Sequence, residues 1–235
     1  MTYVWISLLL ILSYLLGSIP FGLIIGKSFK GIDVREHGSK NMGATNCVRV
    51  LGIKLGMLVL ILDMLKAGGL IALLRILYYT DVIDLIHISD INIGIFYGLL
   101  AVIGNVFPIF AKFKGGKAVA ATGGVMLALN PAVAGLSVLV FAIVVLLCGV
   151  VSLGSVLAAL TCLTLSILDI EYALFTPGVT WESYYFQMIG VGIIILFLIW
   201  KHIPNMKRLF KGEERSFNIG LRKIINKRKT KKNED

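Results

Sequence analysis

Residues 104–124 read GNVFPIFAKFKGGKAVAATGG. An apolar run leads into Pro108, and residues 112–117 then hold three lysines and a Gly-Gly pair before a second apolar run begins. In a soluble protein this segment would be an ordinary surface loop. Because the chain on both sides is almost purely apolar, the pattern predicts a cationic, glycine-rich loop at a membrane face. Such a loop suits an anionic headgroup.

The composition indicates an integral membrane protein. Of the 235 residues, 57% are hydrophobic and 15% are charged, whereas about a quarter of the residues in an average soluble protein are charged. The net charge of +10 is concentrated in a few loops, so we interpret it as membrane-surface charge and expect no nucleic-acid partner. The three cysteines have no metal-ligand spacing, and we expect neither a disulfide nor a metal site.

Seven apolar segments predict an all-α fold of about seven transmembrane helices, since about 20 apolar residues span a bilayer core. The segments cover approximately residues 4–25, 55–77, 91–110, 119–129, 132–151, 156–168 and 184–200. The first is expected to be an uncleaved span with a kink at Pro20, because proline removes a helix hydrogen bond. The fourth has the length of a half-helix.

Loop charge predicts the orientation of these helices. The alternate loops 27–54, 112–117 and 201–235 hold 21 of the 23 Lys and Arg residues, and the opposite loops hold none and carry six carboxylates. By the positive-inside rule the N-terminus lies outside, the C-terminus is cytoplasmic, and the functional loops share the cytoplasmic face. Residues 1–210 then form one transmembrane domain, and residues 211–235 form a basic tail attracted to anionic lipid.

Residues 37–49 read HGSKNMGATNCVR and form the first candidate site segment. The segment offers hydroxyl, amide and backbone N–H donors, and Arg49 can bind phosphate through two parallel hydrogen bonds. The competing interpretation is a polar loop whose Asn and Ser side chains cap helices.

Two further segments carry candidate chemistry. Gly115-Gly116-Lys117 is followed by Ala118 instead of Ser or Thr, so it is not a nucleotide-binding P-loop and nucleotide hydrolysis is not predicted. The glycines still expose N–H groups at a helix start, which is an anion site, although snorkelling lysines at a membrane edge give the same pattern. His202 stands where the last span meets the cytoplasm and can act as an acid or base near neutral pH. The competing interpretation for His202 is a hydrogen-bonded boundary residue.

Charged and polar residues also occur within the spans. Asp63 and Lys66 lie three positions apart and therefore on one helix face. We interpret them as a structural ion pair, with a proton relay as the alternative. Ser152 lies in a short break of the apolar pattern on the same predicted face as the three polar segments, where its hydroxyl can complete a site.

The three segments together resemble the bacterial membrane glycerol-3-phosphate acyltransferases that use acyl phosphate. Ser39 to Arg49 resembles that family's Ser-Gly-Asn-x-Gly-Ala-Thr-Asn…Arg motif. The stretch from Gly104 resembles Gly-His-x-Phe-Pro-x-Phe-x-x-Phe-Lys-Gly-Gly-Lys-Gly-Val-Ala-Thr, and His202 to Glu214 resembles His-x-x-Asn-Ile-x-Arg-Leu-x-x-Gly-x-Glu. The motifs occur in the same order, and the resemblance covers nearly the whole chain.

The resemblance implies that an acyl phosphate donates its acyl group to the 1-hydroxyl of sn-glycerol 3-phosphate, giving lysophosphatidate and phosphate. It implies no coenzyme A, ATP, metal or other cofactor, and a monomer among the lipids of the bacterial cytoplasmic membrane. It assigns reaction roles to Ser39, Arg49, Lys117, His202 and Asn205. It assigns substrate contacts to Asn41, Gly43, Thr45, Asn46, Lys114, Gly115, Gly116, Thr122 and Ser152, and structural roles to Asp63, Lys66 and Glu214.

Within those assignments, Ser39 and Arg49 hold phosphate near the reacting carbonyl. Lys117 binds acyl phosphate together with the glycines before it, and His202 and Asn205 position glycerol 3-phosphate.

Three residues depart from the family motifs. Lys40 and Ala118 stand where the family has glycine, and Asn105 stands where it has histidine. If the glycine at position 118 needs a positive φ, alanine costs affinity or reshapes the loop. These departures keep open a divergent relative that binds lipid or acyl phosphate without catalysis. A transporter of an anionic solute is the other alternative, but a transporter site belongs near the bilayer midplane, whereas the polar residues here concentrate at one face.

Overall fold

The computed structural model describes residues 2–89, 91–168 and 180–217, and most of these residues are helical, as the sequence predicts. The helices are α1 (Thr2–Gly17), α2 (Phe21–Lys30), α3 (Ala44–Leu51), α4 (Ile53–Tyr79), α5 (Gly94–Val106), α6 (Val119–Leu129), α7 (Pro131–Cys148), α8 (Val151–Leu168) and α9 (Trp181–Phe210). A 3-10 turn at Ile109–Ala111 follows α5. Two short strands, β1 (His87–Ile88) and β2 (Ile91–Asn92), pair antiparallel. Residues 218–235, most of the predicted basic tail, lie outside the described residues.

Five described helices are long and apolar enough to cross a membrane, namely α4, α5 with the turn that follows it, α7, α8 and α9. Helices α1 and α2 make a sixth span when taken together, with a bend of 43° between them. The bend lies at Pro20, which confirms the predicted kink. The remaining predicted segment, α6, has 11 residues, and at 1.5 Å per residue it is about 16 Å long, roughly half of a hydrocarbon core.

The short helix α6 packs along α4 inside the bundle. Its Gly124 lies against α4 at Met64 and Gly68. Its last two carbonyls accept hydrogen bonds from Arg75 near the end of α4. Helix α6 therefore runs parallel to α4 and ends at the same end of the bundle. The loop before α6 folds back onto the end of α5, where the Gly116 N–H donates to the Asn105 carbonyl at 3.0 Å.

Glycines let α4 and α6 approach closely. A Cβ atom added to Gly68 would lie 2.1 Å from the Gly124 carbonyl oxygen, and one added to Gly124 would lie 2.1 Å from the Met64 carbonyl oxygen. Any larger residue at either position would push the two helices apart. This contact, together with the buried apolar core around Ile71 and Val125, holds the start of α6 in a defined place.

The two ends of the bundle differ in charge. The Tyr14 hydroxyl near the end of α1 donates to the Phe107 carbonyl at 3.0 Å, and the Phe107 ring contacts Trp200 of α9. Helices α1, α5 and α9 are therefore parallel, and the start of α1 and the end of α9 lie at opposite ends of the bundle. The end where α1 and α9 begin is acidic, and the end where they finish is basic. This separation is the one predicted from the loops, and the assignment of the basic end to the cytoplasm stays a prediction.

Candidate active site

A cavity of about 640 Å³ lies at the basic end of the bundle. Its walls come from the starts of α2 and α3 with part of the loop between them, the first half of α4 and the end of α5. The first turns of α6 and α8, part of α7, the last turns of α9 and the residues after α9 complete them. Most of the residues singled out in the sequence line this one cavity. They are Ser39, Asn41, Gly43, Thr45, Asn46, Arg49, Asp63, Lys66, Gly116, Lys117, Ser152, His202, Asn205 and Glu214.

The structure does not bring three of the predicted residues to this cavity. Lys114 is exposed and lies on a separate surface depression beside Asp33 and Arg35. Gly115 packs on the end of α5, where a Cβ atom would lie 2.3 Å from two backbone carbonyl oxygens. Thr122 is buried one turn into α6, and its hydroxyl has no hydrogen-bond partner among the described residues.

Asn46 holds the segment 37–49 in shape. Its side-chain oxygen accepts a hydrogen bond from the Ser39 N–H at 2.7 Å. Its side-chain nitrogen lies within 3.1 Å of the carbonyl oxygens of Val34, His37 and Asn41. Because Asn46 is only 2% exposed and both ends of its amide are occupied, its side chain organises the loop. The competing interpretation, in which Asn and Ser side chains cap helices, does not describe Asn46, because it lies within α3 and the helix begins after Gly43 without a side-chain cap.

Arg49 is the cation that this segment presents to the cavity. It is half-buried on α3, and its guanidinium carbon lies 4.7 Å from the centre of the Phe217 ring. Burial lowers the pKa of Arg49 below its usual value, and the nearby Arg215 lowers it further. A guanidinium group nevertheless stays charged at neutral pH, and its planar fork of donors matches a phosphate group.

Lys117 is the cation of the glycine-rich loop. Its ammonium group donates a hydrogen bond to the Asn205 side-chain oxygen on α9. Burial lowers the pKa of Lys117 to about 8, and the nearby carboxylate of Glu214 opposes this shift. The side chain is therefore still mainly protonated at neutral pH, in a place where water shields it poorly.

The N-terminus of α6 adds a second source of positive potential beside Lys117. The residues of its first turn, 119–121, line the cavity. The first N–H groups of a helix have no partner within the helix and lie at the positive end of the helix dipole. Together with the lysine they give this part of the cavity the positive potential that an anion site needs.

His202 is 3% exposed and lines the cavity from α9. Its Nδ1 atom lies 2.8 Å from the Leu198 carbonyl oxygen. A carbonyl oxygen only accepts hydrogen bonds, so Nδ1 must carry the proton, and in the neutral ring Nε2 is then an acceptor. This arrangement allows His202 to accept a hydrogen bond from a substrate hydroxyl.

Glu214, at the end of the third motif, is hydrogen-bonded to three side chains around it. Its carboxylate accepts hydrogen bonds from Ser152 Oγ at 2.8 Å, Asn205 Nδ2 at 2.6 Å and Arg208 Nε at 2.9 Å. Burial raises the pKa of Glu214, but these three hydrogen bonds outweigh burial and hold the pKa below its usual value. Because Asn205 in turn accepts from Lys117, the ionised Glu214 fixes a chain of contacts across the cavity.

Asp63 and Lys66 form the predicted ion pair and also line the cavity. Lys66 Nζ lies 2.7 Å from Asp63 Oδ1 and donates to the Ile19 carbonyl at 2.7 Å. That carbonyl lies in the break between α1 and α2, next to Pro20, where the helix ladder is interrupted. Their mutual contact is the structural pairing inferred from the spacing, and Lys66 in addition satisfies a carbonyl of the interrupted backbone.

Two of the three departures from the family motifs lie where the backbone is left-handed. Lys40 has φ +59° and Ala118 has φ +60°, a left-handed conformation that glycine adopts freely and other residues rarely adopt. Asn105, at the third departure, is buried at the cavity wall. Both glycine positions of the motif thus require a positive φ, and this chain adopts it without glycine.

The cavity also contains residues that were not predicted. Arg208 belongs to the third motif, and its charged side chain within that motif was an available signal. Phe217 lies beyond every motif and had no signal in the sequence. An apolar part of the wall, formed by Met57, Leu60, Phe141 and Val145, comes from helices whose apolar residues all look alike in the sequence.

These features define a helical membrane protein with a cavity whose charge and lining suit a phosphate-bearing, partly apolar ligand. The cationic groups lie at one end of the bundle, and the apolar wall leads from them towards the membrane-spanning helices.

The chain belongs to the glycerol-3-phosphate acyltransferase family, whose profile matches residues 7–212. It is similar to the glycerol-3-phosphate acyltransferase of Acholeplasma laidlawii, with 40% identity over 96% of this chain and 98% of the relative. It is also similar to that of Bacillus subtilis (strain 168), with 44% identity over 89% of this chain and 96% of the relative.

Solved structures agree with this assignment. The chain resembles the crystal structure of PlsY, an integral membrane glycerol 3-phosphate acyltransferase, in its glycerol 3-phosphate form, with a TM-score of 0.74 and 36% identity over 90% of this chain and 95% of that chain. The lysophosphatidic acid form of PlsY matches with a TM-score of 0.73 and 35% identity over the same shares. The protein is therefore an integral, multi-pass membrane protein.

Proposed function

We propose that this protein is an acyl-phosphate-dependent glycerol-3-phosphate 1-O-acyltransferase that acts at the cytoplasmic face of the bacterial cytoplasmic membrane. The observation that carries the proposal is one cavity that unites Arg49, Lys117 and His202 from three distant segments. Relatives named glycerol-3-phosphate acyltransferase, and PlsY structures in glycerol 3-phosphate and lysophosphatidic acid forms, support the acceptor and the product. The donor is inferred from the resemblance of the motifs and from the chemistry of the cavity.

In the proposed reaction the 1-hydroxyl oxygen of glycerol 3-phosphate attacks the carbonyl carbon of the acyl phosphate. A carbon–oxygen ester bond forms, the bond from the carbonyl carbon to the phosphate oxygen breaks, and phosphate leaves with the bonding electrons. The hydroxyl proton passes to a phosphate oxygen. The products are lysophosphatidate and inorganic phosphate, and this is the first acylation of phospholipid synthesis.

We assign the donor phosphate to the cationic groups of the cavity. Arg49, Lys117 and the N-terminus of α6 supply fixed positive charge, and Ser39 at the rim supplies a hydroxyl. Negative charge grows on the departing phosphate as the bond to carbon breaks. Groups that are already in place stabilise that charge without having to reorganise, which is how preorganised electrostatic sites lower a barrier.

We assign the acceptor hydroxyl to His202 and Asn205. His202 Nε2 can accept the hydroxyl hydrogen bond, because Nδ1 is engaged with Leu198. Asn205 is fixed between Lys117 and Glu214. It therefore keeps the part of the cavity assigned to the acceptor in a fixed position relative to the part assigned to the donor. Holding two reactants in the geometry for attack removes much of the entropic cost of their encounter.

The acyl chain fits the apolar part of the wall. Met57 and Leu60 on α4, and Phe141 and Val145 on α7, line the cavity beside the cationic groups. Helix α7 is largely exposed along its length, so an acyl chain placed here meets the bilayer. The phosphate ends of both substrates then stay at the basic end of the bundle, which the positive-inside rule assigns to the cytosol.

The proposal is tested with purified protein, an acyl phosphate and radiolabelled glycerol 3-phosphate. We expect labelled lysophosphatidate. Arg49→Ala and His202→Ala should abolish its formation while the variants remain folded in detergent, and Lys207→Ala, at an exposed position of the same helix as His202, should stay active. No product from the wild type, alongside an active family member, would refute the reaction. Full activity of either cavity variant would refute the site.

A non-catalytic binding protein of the same family is the second candidate. Lys40, Asn105 and Ala118 all line the cavity, and each departs from the family motif. The same assay separates the candidates, because a binding protein retains acyl phosphate without forming lysophosphatidate.

A further inference from the structure

We infer that Phe217 is a positioning residue for Arg49. Residues 211–217, which we call the strap, follow α9 and cross the rim of the cavity, and Phe217 at their end stacks on the Arg49 guanidinium. Phe217 lies beyond residue 212, where the family match ends. The identity of the substrate that Arg49 holds rests on the proposed function.

The strap is anchored along its length. The Glu213 N–H donates to the Arg208 carbonyl at 2.8 Å, and the Phe217 N–H donates to the Gly149 carbonyl, between α7 and α8, at 2.8 Å. Between these points the Glu214 side chain is fixed by its three hydrogen bonds. Backbone and side-chain contacts on both sides of the cavity therefore hold the Phe217 ring against Arg49.

The stacking geometry suits a phosphate ligand. A guanidinium group has two flat faces and an edge that carries its N–H donors, and an aromatic ring attracts the cation through its face. A ring that covers one face of a guanidinium group leaves the donor edge available for two parallel hydrogen bonds to phosphate. A long arginine side chain that is already ordered loses less freedom when the ligand binds.

Three substitutions of Phe217 separate this role from simple packing. Phe217→Ala removes the ring, Phe217→Tyr keeps an aromatic face, and Phe217→Leu keeps an apolar side chain without one. Phe210→Ala is the matched control, because Phe210 is 90% exposed at the start of the same region and lies outside the residues that line the cavity.

Two measurements are made on each variant in detergent. The first is the steady-state kinetics with acyl phosphate and glycerol 3-phosphate. The second is the shift in the thermal unfolding midpoint caused by inorganic phosphate, which does not depend on turnover. For Phe217→Ala we expect a KM for acyl phosphate and an apparent phosphate Kd about two- to tenfold higher, the cost of ordering one long side chain, with kcat near that of the wild type.

We also expect Phe217→Tyr and Phe210→Ala to behave like the wild type, and Phe217→Leu to behave like Phe217→Ala. Wild-type values for Phe217→Ala, recovery with Leu as good as with Tyr, or a loss in kcat with unchanged KM would each overturn the inference. If the wild type fails to use acyl phosphate, the proposed donor is refuted, and the phosphate-induced shift still decides whether Phe217 supports Arg49.

Discussion

Replacing Ala118 with glycine should stabilise the protein, although glycine normally weakens a helical chain. Ala118 has φ +60° at the start of α6, and a left-handed conformation costs a non-glycine residue about 1–2 kcal/mol. Glycine removes that strain but makes the unfolded chain more flexible, which costs about 0.4–1 kcal/mol. We expect a net gain of about 0.5–1 kcal/mol, or roughly 1–4 °C in the unfolding midpoint for a chain of this size.

The assay is thermal unfolding in detergent, with Ala158→Gly as the matched control. Ala158 lies in the interior of α8, where the same change should cost about 1 kcal/mol. Because the backbone at position 118 already has the conformation that glycine favours, the KM for acyl phosphate should stay close to that of the wild type. An Ala118→Gly midpoint equal to or below the wild type, with the control lowered as expected, would refute the claim that this residue is strained.

Other contacts of the cavity give three more predictions. Glu214→Gln replaces the carboxylate that accepts three hydrogen bonds by a neutral amide. It should lower the free energy of unfolding by about 1.5–3 kcal/mol, measured by thermal unfolding, whereas Glu213→Gln, at an exposed neighbouring position, should have little effect. The pKa of Lys117 is about 8, so its charge is present below that pH and lost above it. The KM for acyl phosphate should therefore rise from about pH 7 to about pH 9, and Lys117→Arg should remove the rise. Lys66→Met leaves Asp63 buried without its partner and should cost about 3–5 kcal/mol in thermal unfolding. The double variant Asp63→Leu/Lys66→Met should be more stable than Lys66→Met, and an equally unstable double variant would contradict the pairing.

Much of the site was predictable because its residues lie in short contiguous motifs. Arg49, Lys117 and His202 each stand in a polar segment interrupting an apolar chain, and placing them on one face required only the distribution of charge. The spacing of Asp63 and Lys66 likewise predicted their contact, because residues three apart on a helix are neighbours. The roles within a motif were less accessible. From the sequence, Asn46 cannot be told apart from a residue that contacts substrate. Only its hydrogen bonds identify it as the residue that shapes the loop.

By itself the sequence determined the all-α membrane class, the separation of acidic and basic ends, and the three segments that build the site, because hydropathy and loop charge are local properties. Only the tertiary structure decided where the 11-residue helix α6 lies, since its place depends on the glycine contact with α4 and on the fold of the loop before it. The Lys117–Asn205–Glu214 contacts and the stacking of Phe217 on Arg49 also required the structure. These partners are brought together by the packing of whole helices, which no local pattern records.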